Sequence, residues 1–266
     1  MTPTISLNMK ALISNDDGVT ASGILAAKKA VDGLCETYVI APERQQSGIG
    51  HALTLYEPLR VNEYTLRDGS TAYGVSGTPT DAVTLALFDI MDEKPDIMIS
   101  GINTGFNLGK AELTTSGTLG AAIEAASFGI PTIAISQEVT RDDVKFENGH
   151  IEIDFSFAGK MLEKLAKIII EKGLPEGIDL INVNVPADPV DDGFEVARLG
   201  DRMFSPVIDK RTDPRGKEYY WINGDPYLED GPGSDGYELR QTRKTTVTPL
   251  KLDMTADMDS LRQWLK

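Results

Sequence analysis

Residues 10–18 read KALISNDDG: a short apolar run that ends in Asn15, two adjacent carboxylates and a glycine. The run reads as a buried strand over 10–15. Five more segments of the same texture follow, at 36–41 (ETYVIA), 72–76 (AYGVS), 96–100 (DIMIS), 132–136 (TIAIS) and 180–185 (LINVNV). Several carry apolar residues on both faces instead of alternating strictly, the pattern of strands covered by helices on each side. Helix-length amphipathic segments lie between them, so the chain reads as α/β with a mostly parallel sheet.

The helices carry their own punctuation. Thr78, Pro79 and Asp81 suit an N-cap, a first helical residue and a capping-box partner, and they open a helix with Val83, Leu87, Ile90 and Met91 at helical spacing. A second helix is expected from about Ser116 to Phe128, stopped by Gly129 and Pro131. A third spans 155–172 with Phe157, Met161, Leu165, Ile168 and Ile169 along one stripe. Beyond about residue 190 Pro, Gly and Asp become frequent, and VIDKRTDPRGKEYYWI and TTVTPLKLDMTA read as hairpins before a closing helix that ends SLRQWLK. The expected division is an α/β catalytic core over 9–192 and a C-terminal hairpin arm with a terminal helix over 193–266, partly packed on the core. Extended hairpins without a core of their own commonly pack on a partner subunit, so a homo-oligomer is expected.

Composition narrows the chemistry. The chain has 266 residues, 41% hydrophobic and 25% charged, enough for a substantial core and ordinary for a soluble globular protein. No window approaches the roughly 18 to 20 apolar residues of a membrane span. The start, MTPTISLNMK, has neither an apolar signal core nor an Arg-rich amphipathic leader, which points to the cytoplasm. Cys35 is the only cysteine, so no intrachain disulfide and no multi-cysteine metal site can form. Only His51 and His150 are available as imidazole ligands, so a bound metal would be held mainly by oxygen, favouring Mg²⁺, Ca²⁺ or Mn²⁺. The net charge of −15 has the wrong sign for binding nucleic-acid backbones, so neither nucleic acid nor membrane is an expected partner.

In an open parallel sheet, ligands bind beyond the carboxyl ends of the strands. NDDG follows the first strand, PERQQSGIGH the second, GINTGFNLGK follows DIMIS, and TTSGT leads into the helix near Gly117. Two neighbouring carboxylates repel by about 1 kcal/mol in water and by more near a low-dielectric interior. A divalent cation held by Asp16, Asp17, Ser47 and Asn103 would relieve that repulsion and attract phosphate to an acidic protein. An Asn-Asp-Asp-Gly turn also occurs as a solvated loop with a helix-capping Asp. Ser116, Gly117 and Thr118 open a helix whose free N–H groups suit a phosphate, although an ordinary N-cap uses the same residue types. The glycines at 101, 105 and 109 and the asparagines at 103 and 107 suit a loop whose backbone approaches a ligand closely. The stretch is not a P-loop, because three residues separate Gly105 from Gly109 and Ala111 follows Lys110. GIGHAL lacks the third glycine of a dinucleotide fingerprint. His51 reads either as a residue close to the ligand or as a local hydrogen-bonding group, and His150 as an exposed loop residue.

NDDG, APERQQSGIGHALTL, SGTPTDAV, SGINTGFNLG with TSGT, and later DPRG, YYW and TPL occur in an order that closely resembles the SurE survival proteins, over about residues 10 to 264. The resemblance implies a Rossmann-like three-layer core and a C-terminal arm used in dimer or tetramer formation. It implies hydrolysis of nucleoside 5′- and 3′-monophosphates, in some members with exopolyphosphatase activity. It also implies one divalent cation per subunit, Mg²⁺ or Mn²⁺, on the residues that correspond to Asp16, Asp17, Ser47 and Asn103, and a phosphate near Ser116, Gly117 and Thr118, with Asn15 and Asn107 close by. The chain departs from the family pattern at Gln46, where an Arg often stands, at Ala52 in place of Ser and at Phe106 in place of Pro. None of these removes a metal ligand. Asp16 and Asp17 are the expected catalytic residues, with one of them the general base or nucleophile. A non-catalytic metal–nucleotide sensor is the alternative of a different class. Aspartyl-phosphate chemistry usually wants Asp-x-Asp spacing, which the adjacent Asp16 and Asp17 do not provide.

Overall fold

The computed structural model describes residues 9–139 and 153–266. His150 lies outside the described residues. A nine-stranded sheet forms the centre. Its strands are β1 (Lys10–Ser14), β2 (Glu36–Pro42), β3 (Val61–Thr65), β4 (Thr71–Val75), β5 (Ile97–Thr104), β6 (Thr132–Gln137), β7 (Leu180–Val185), β8 (Phe194–Val196) and β11 (Thr245–Leu250), in the order β3-β4-β2-β1-β5-β6-β7-β11-β8. Strands β4, β2, β1, β5, β6 and β7 run parallel, while β3 pairs antiparallel with β4 and β11 with β7. The six strands expected from the sequence are all present within a few residues.

Two helix layers cover this sheet. Helix α1 (Ser22–Val31) and α5 (Ser156–Lys172) pack on one face, where Ile24, Ala27, Val31, Leu162 and Ala166 close over Ile13, Ile99 and Ile133. Helix α2 (Pro79–Leu85) and α4 (Gly117–Ser127) pack on the other, where Val83, Ala121 and Ala125 meet Leu12, Ile40 and Met98. Successive residues Leu12 and Ile13 therefore enter opposite cores, which is why Ala11, Leu12 and Ile13 are apolar in succession.

The capping box at α2 forms as the sequence indicates: Thr78 Oγ1 accepts from the Asp81 N–H at 3.1 Å and Asp81 Oδ2 accepts from the Thr78 N–H at 2.8 Å. Regular α geometry ends at Leu85, and a π-helical turn carries the chain through Ala86–Ile90. Helix α1 has no side-chain cap, because Ala21 stands at its N-cap. It therefore lacks the N-terminal punctuation that announced α2 and α4.

Of the segment from 193 onward, β8 and β11 belong to the central sheet. TTVTPL is thus a central-sheet strand rather than half of a hairpin, with Thr245, Thr246 and Thr248 buried between its neighbours. The other expected hairpin forms: β9 (Phe204–Thr212) and β10 (Glu218–Pro226) pair antiparallel around a turn at residues 213–217 and stand as a separate two-stranded ribbon. The short helix α3 (Glu112–Thr115) precedes α4, α6 (Asp235–Tyr237) precedes β11, and the closing helix α7 (Met258–Trp264) is exposed throughout. Among the described residues no helix is long and apolar enough to cross a membrane.

Candidate active site

Strand β1 has β2 on one side and β5 on the other, so the chain leaves it first towards β2 and β4 and later returns to the opposite side. This reversal opens a crevice at the carboxyl ends of β1 and β5, the usual ligand position in such sheets. Asp16 and Asp17 follow β1 there, and Asn103 is the penultimate residue of β5.

The NDDG turn is locked from within. Asn15 Oδ1 accepts from the Gly18 N–H and its Nδ2 donates to the Gly18 carbonyl, both at 3.1 Å. Asn15 therefore shapes the turn with both ends of its amide. The two carboxylates leave it in different directions. Asp16 is buried and its Oδ1 accepts from Thr118 Oγ1 at 2.6 Å, which ties the turn to the first residues of α4. Asp17 is half-buried; its Oδ2 accepts from the Thr104 N–H at 3.1 Å and its Oδ1 from Gln45 Nε2 at 3.4 Å. The two adjacent like charges are thus held by different partners.

The same Gln45 amide nitrogen donates to Ser47 Oγ at 3.1 Å, so an Asp17 oxygen and the Ser47 hydroxyl face one point. The Ser47 loop is fixed to the rest by the Gln46 N–H, which donates to the Asp16 carbonyl at 2.7 Å, and by the Gly50 N–H, which donates to the Thr115 carbonyl at 2.9 Å. Gly50 holds φ +65°, and a side chain there would meet the Thr114 carbonyl, so glycine is required where this loop crosses the start of α4.

Asn103 sits in β5, not in a loop after it. The β5–β6 pairing shifts register between Ser100 and Asn103, which lengthens the strand beyond DIMIS. Asn103 Nδ2 donates to Ser136 Oγ at 3.3 Å, and Asn107 Nδ2 donates to the same oxygen at 3.0 Å. The Asn107 backbone is gripped on both sides: its N–H donates to Asn184 Oδ1 at 2.8 Å, and its carbonyl accepts from Asn182 Nδ2 at 2.8 Å and Asn184 Nδ2 at 3.0 Å. None of Ser136, Asn182 and Asn184 was singled out from sequence. Their signal was there: LINVNV places two asparagines on one face of a strand that is otherwise apolar.

Ser116 is the N-cap of α4, its Oγ accepting from the Leu119 N–H at 3.2 Å. Gly117 packs directly under Asp16; a Cβ there would lie 2.7 Å from Asp16 Cβ and 3.1 Å from Asp16 Oδ2. The structure thus brings Asp16 together with Gly117 and Thr118, and Asp17 with Ser47 and the residue after Asn103. His51 lies one loop further out. Its Nε2 is 2.8 Å from Glu124 Oε2, and Thr84 Oγ1 donates to the other Glu124 oxygen at 2.9 Å. The His51 hydrogen bond is the main cause that holds the Glu124 carboxyl below its ordinary range, against the opposing effect of burial. His51 is therefore a local hydrogen-bonding residue that anchors its loop to α4.

A cavity of about 340 Å³ adjoins this loop, lined by Glu43, Arg44, Gln46, Val75, Ser76 and Gly77 at the ends of β2 and β4. Its size falls in the range of small-molecule clefts. Among the described residues no three His, Cys, Asp or Glu cluster as a metal site. The side chains that line the crevice include two carboxylates, a hydroxyl and an amide, and the chemistry of this all-oxygen set fits a hard divalent ion that keeps several waters.

The family model described as "Survival protein SurE" matches residues 11–206. A curated protein of Methanobrevibacter smithii named "5'-nucleotidase SurE" is 71% identical over 97% of this chain and 100% of its own length. One of the same name from Methanothermobacter thermautotrophicus is 61% identical over 82% of this chain and 83% of its own. The crystal structure of the SurE protein from Aquifex aeolicus superposes with a TM-score of 0.78 at 34% identity, covering 97% of this chain and all of that one.

Proposed function

Because this chain belongs to the SurE family, we propose that it is a metal-dependent phosphomonoesterase that hydrolyses nucleoside 5′-monophosphates to nucleoside and inorganic phosphate. The curated relatives carry the name 5′-nucleotidase, which supports the nucleotidase reading. The observation that carries it furthest is the pair Asp16 and Asp17 at the β1/β5 crevice, one tied to the start of α4 and the other facing Ser47. Nucleoside 3′-monophosphates and polyphosphate ends present the same terminal phosphoryl group and are the further substrates of this reading.

Asp16, Asp17, Ser47 and Asn103 would hold one Mg²⁺ or Mn²⁺ per subunit. When bound, such an ion supplies Lewis-acid stabilisation of the phosphoryl oxygens and lowers the pKa of a bound water. The protein's own groups do the rest. The first N–H groups of α4, around Gly117 and Thr118, would donate to the remaining phosphate oxygens with the helix dipole behind them. Thr118 keeps its hydroxyl on Asp16 and so fixes that carboxylate; only its backbone is offered to substrate. One of Asp16 and Asp17 would accept the proton of the water that attacks phosphorus, and that proton, passed to the ester oxygen as the P–O bond breaks, lets it leave as the nucleoside hydroxyl. The cavity beside Gln46 would take the nucleoside. Gln46 stands where the family often has Arg, but Arg44 lines the same cavity and brings a guanidinium to it.

The β9–β10 ribbon supports self-association into a dimer or tetramer. Val207, Ile208, Tyr220, Trp221 and Ile222 are exposed on it, and a two-stranded ribbon is at best marginally stable alone. A second copy of the chain is the partner of this reading.

The test is release of inorganic phosphate from AMP and from p-nitrophenyl phosphate by the full chain with Mn²⁺ or Mg²⁺, and by Asp16→Asn and Asp17→Asn. The reading expects turnover with metal, none after chelation, and a loss of at least about 100-fold in each variant. Near-normal turnover in folded variants would defeat the assignment. AMP bound and recovered intact would instead favour the sensor.

A further inference from the structure

We infer that Ser136 is a positioning residue for the metal, setting the orientation of the Asn103 side-chain amide; this rests on the metal reading above. A primary amide can lie in its site in two ways that differ only by exchanging oxygen and NH₂, and only the oxygen binds a cation. Something has to hold Asn103 in the useful orientation.

Ser136 is fully buried at the carboxyl end of β6, directly opposite Asn103 on β5 and Asn184 on β7 in the parallel register. Its Oγ receives Nδ2 of both Asn103 and Asn107. A hydroxyl has one proton and two lone pairs. Two amides facing one hydroxyl cannot both accept from it, whereas both can donate to it. With NH₂ directed to Ser136, the carbonyl oxygen of Asn103 is the end of the amide not engaged on β6, and β1, which leads to the two carboxylates, lies on the other side of β5. The asparagine pair on β7 holds the Asn107 backbone from the far side, so the geometry around Ser136 is fixed from two strands.

The experiment is Mn²⁺ binding to the full chain without substrate, read as free Mn²⁺ by electron paramagnetic resonance. Wild type, Ser136→Ala, Asn103→Ala, the double variant and Asp16→Asn are compared at matched thermal stability. Loss of a hydrogen-bond partner behind a ligand typically costs about 10- to 100-fold in metal affinity, and that loss is expected for Ser136→Ala. In the Asn103→Ala background the same substitution should change affinity less than about twofold, because no amide remains to be oriented. A role in general packing would instead add its penalty in both backgrounds. If Ser136→Ala does not fold, Ser136→Cys keeps the volume with a weak acceptor and should show the same pattern. Affinity unchanged in Ser136→Ala while Asn103→Ala weakens binding would overturn the inference and leave the metal reading standing. Unaltered binding in Asp16→Asn as well, or none in the wild type, would overturn both.

Discussion

Gly117→Ala separates two forces acting on one atom. The residue is the first of helix α4, where alanine is intrinsically better than glycine by about 0.5 to 1 kcal/mol. Here the added Cβ would lie 2.7 Å from Asp16 Cβ, where ordinary contact begins near 3.4 Å, so one of the two has to retreat by about 0.7 Å. Asp16 cannot do so without cost, since its carbonyl holds the Gln46 N–H and its carboxylate the Thr118 hydroxyl. Overpacking of this kind costs about 1 to 3 kcal/mol, which more than offsets the helix preference. Net destabilisation of roughly 1 to 2 kcal/mol corresponds to a melting temperature lower by about 2 to 8 °C for a chain of this size. Activity should suffer more, because displacing a catalytic group by close to 1 Å can cost about 100-fold. The assay is kcat/KM for AMP beside a thermal melt of the same preparation. A melting temperature above wild type with full activity would refute the packing of Gly117 on Asp16.

Three further outcomes follow from the packing. Asp81 receives the N–H and hydroxyl of Thr54 and the N–H of Thr78, so Asp81→Ala strands one buried and two half-buried donors and should destabilise the fold by about 1 to 3 kcal/mol in denaturant titration. Burial pushes the Cys35 thiol up to about 11, leaving about one in a thousand ionised at pH 8. Folded protein should therefore react with iodoacetamide at least about 100-fold slower than urea-unfolded chain. Glu124 is held below its ordinary carboxylate range, so its contribution is complete above the unfolded value near 4.5 and is lost as pH falls through the lower folded value. Between pH 6 and 3 the wild type should lose more thermal stability than Glu124→Gln; equal slopes would contradict the His51–Glu124 pairing.

The sheet was legible because strands buried on both faces leave long apolar runs, and KALIS, DIMIS and TIAIS do so. Helices α2 and α4 were legible from their caps and α5 from its apolar stripe; α1, with an alanine at its N-cap, was not singled out. TTVTPL was misread as a hairpin half because its three buried threonines look polar in sequence, and only their place between β7 and β8 shows them as interior residues. At the site, local chemistry marked Asp16, Asp17, Ser47 and Asn103, but not what fixes them. Thr118 was expected near the phosphate, and the sequence did not show that its hydroxyl also serves Asp16, 102 residues away. Asn15 was expected close by, and its amide also closes its own turn. Such second partners are set by strand order and register, which no short window of sequence contains.

The most direct test is diffraction from a crystal soaked in Mn²⁺, recorded at a wavelength where manganese scatters anomalously. The account predicts one peak per subunit in the β1/β5 crevice, with oxygens of Asp16, Asp17, Ser47 and Asn103 around it at about 2.0 to 2.3 Å, directly or through one water. A bare crevice at millimolar Mn²⁺, or a peak that none of these side chains touches, would contradict it.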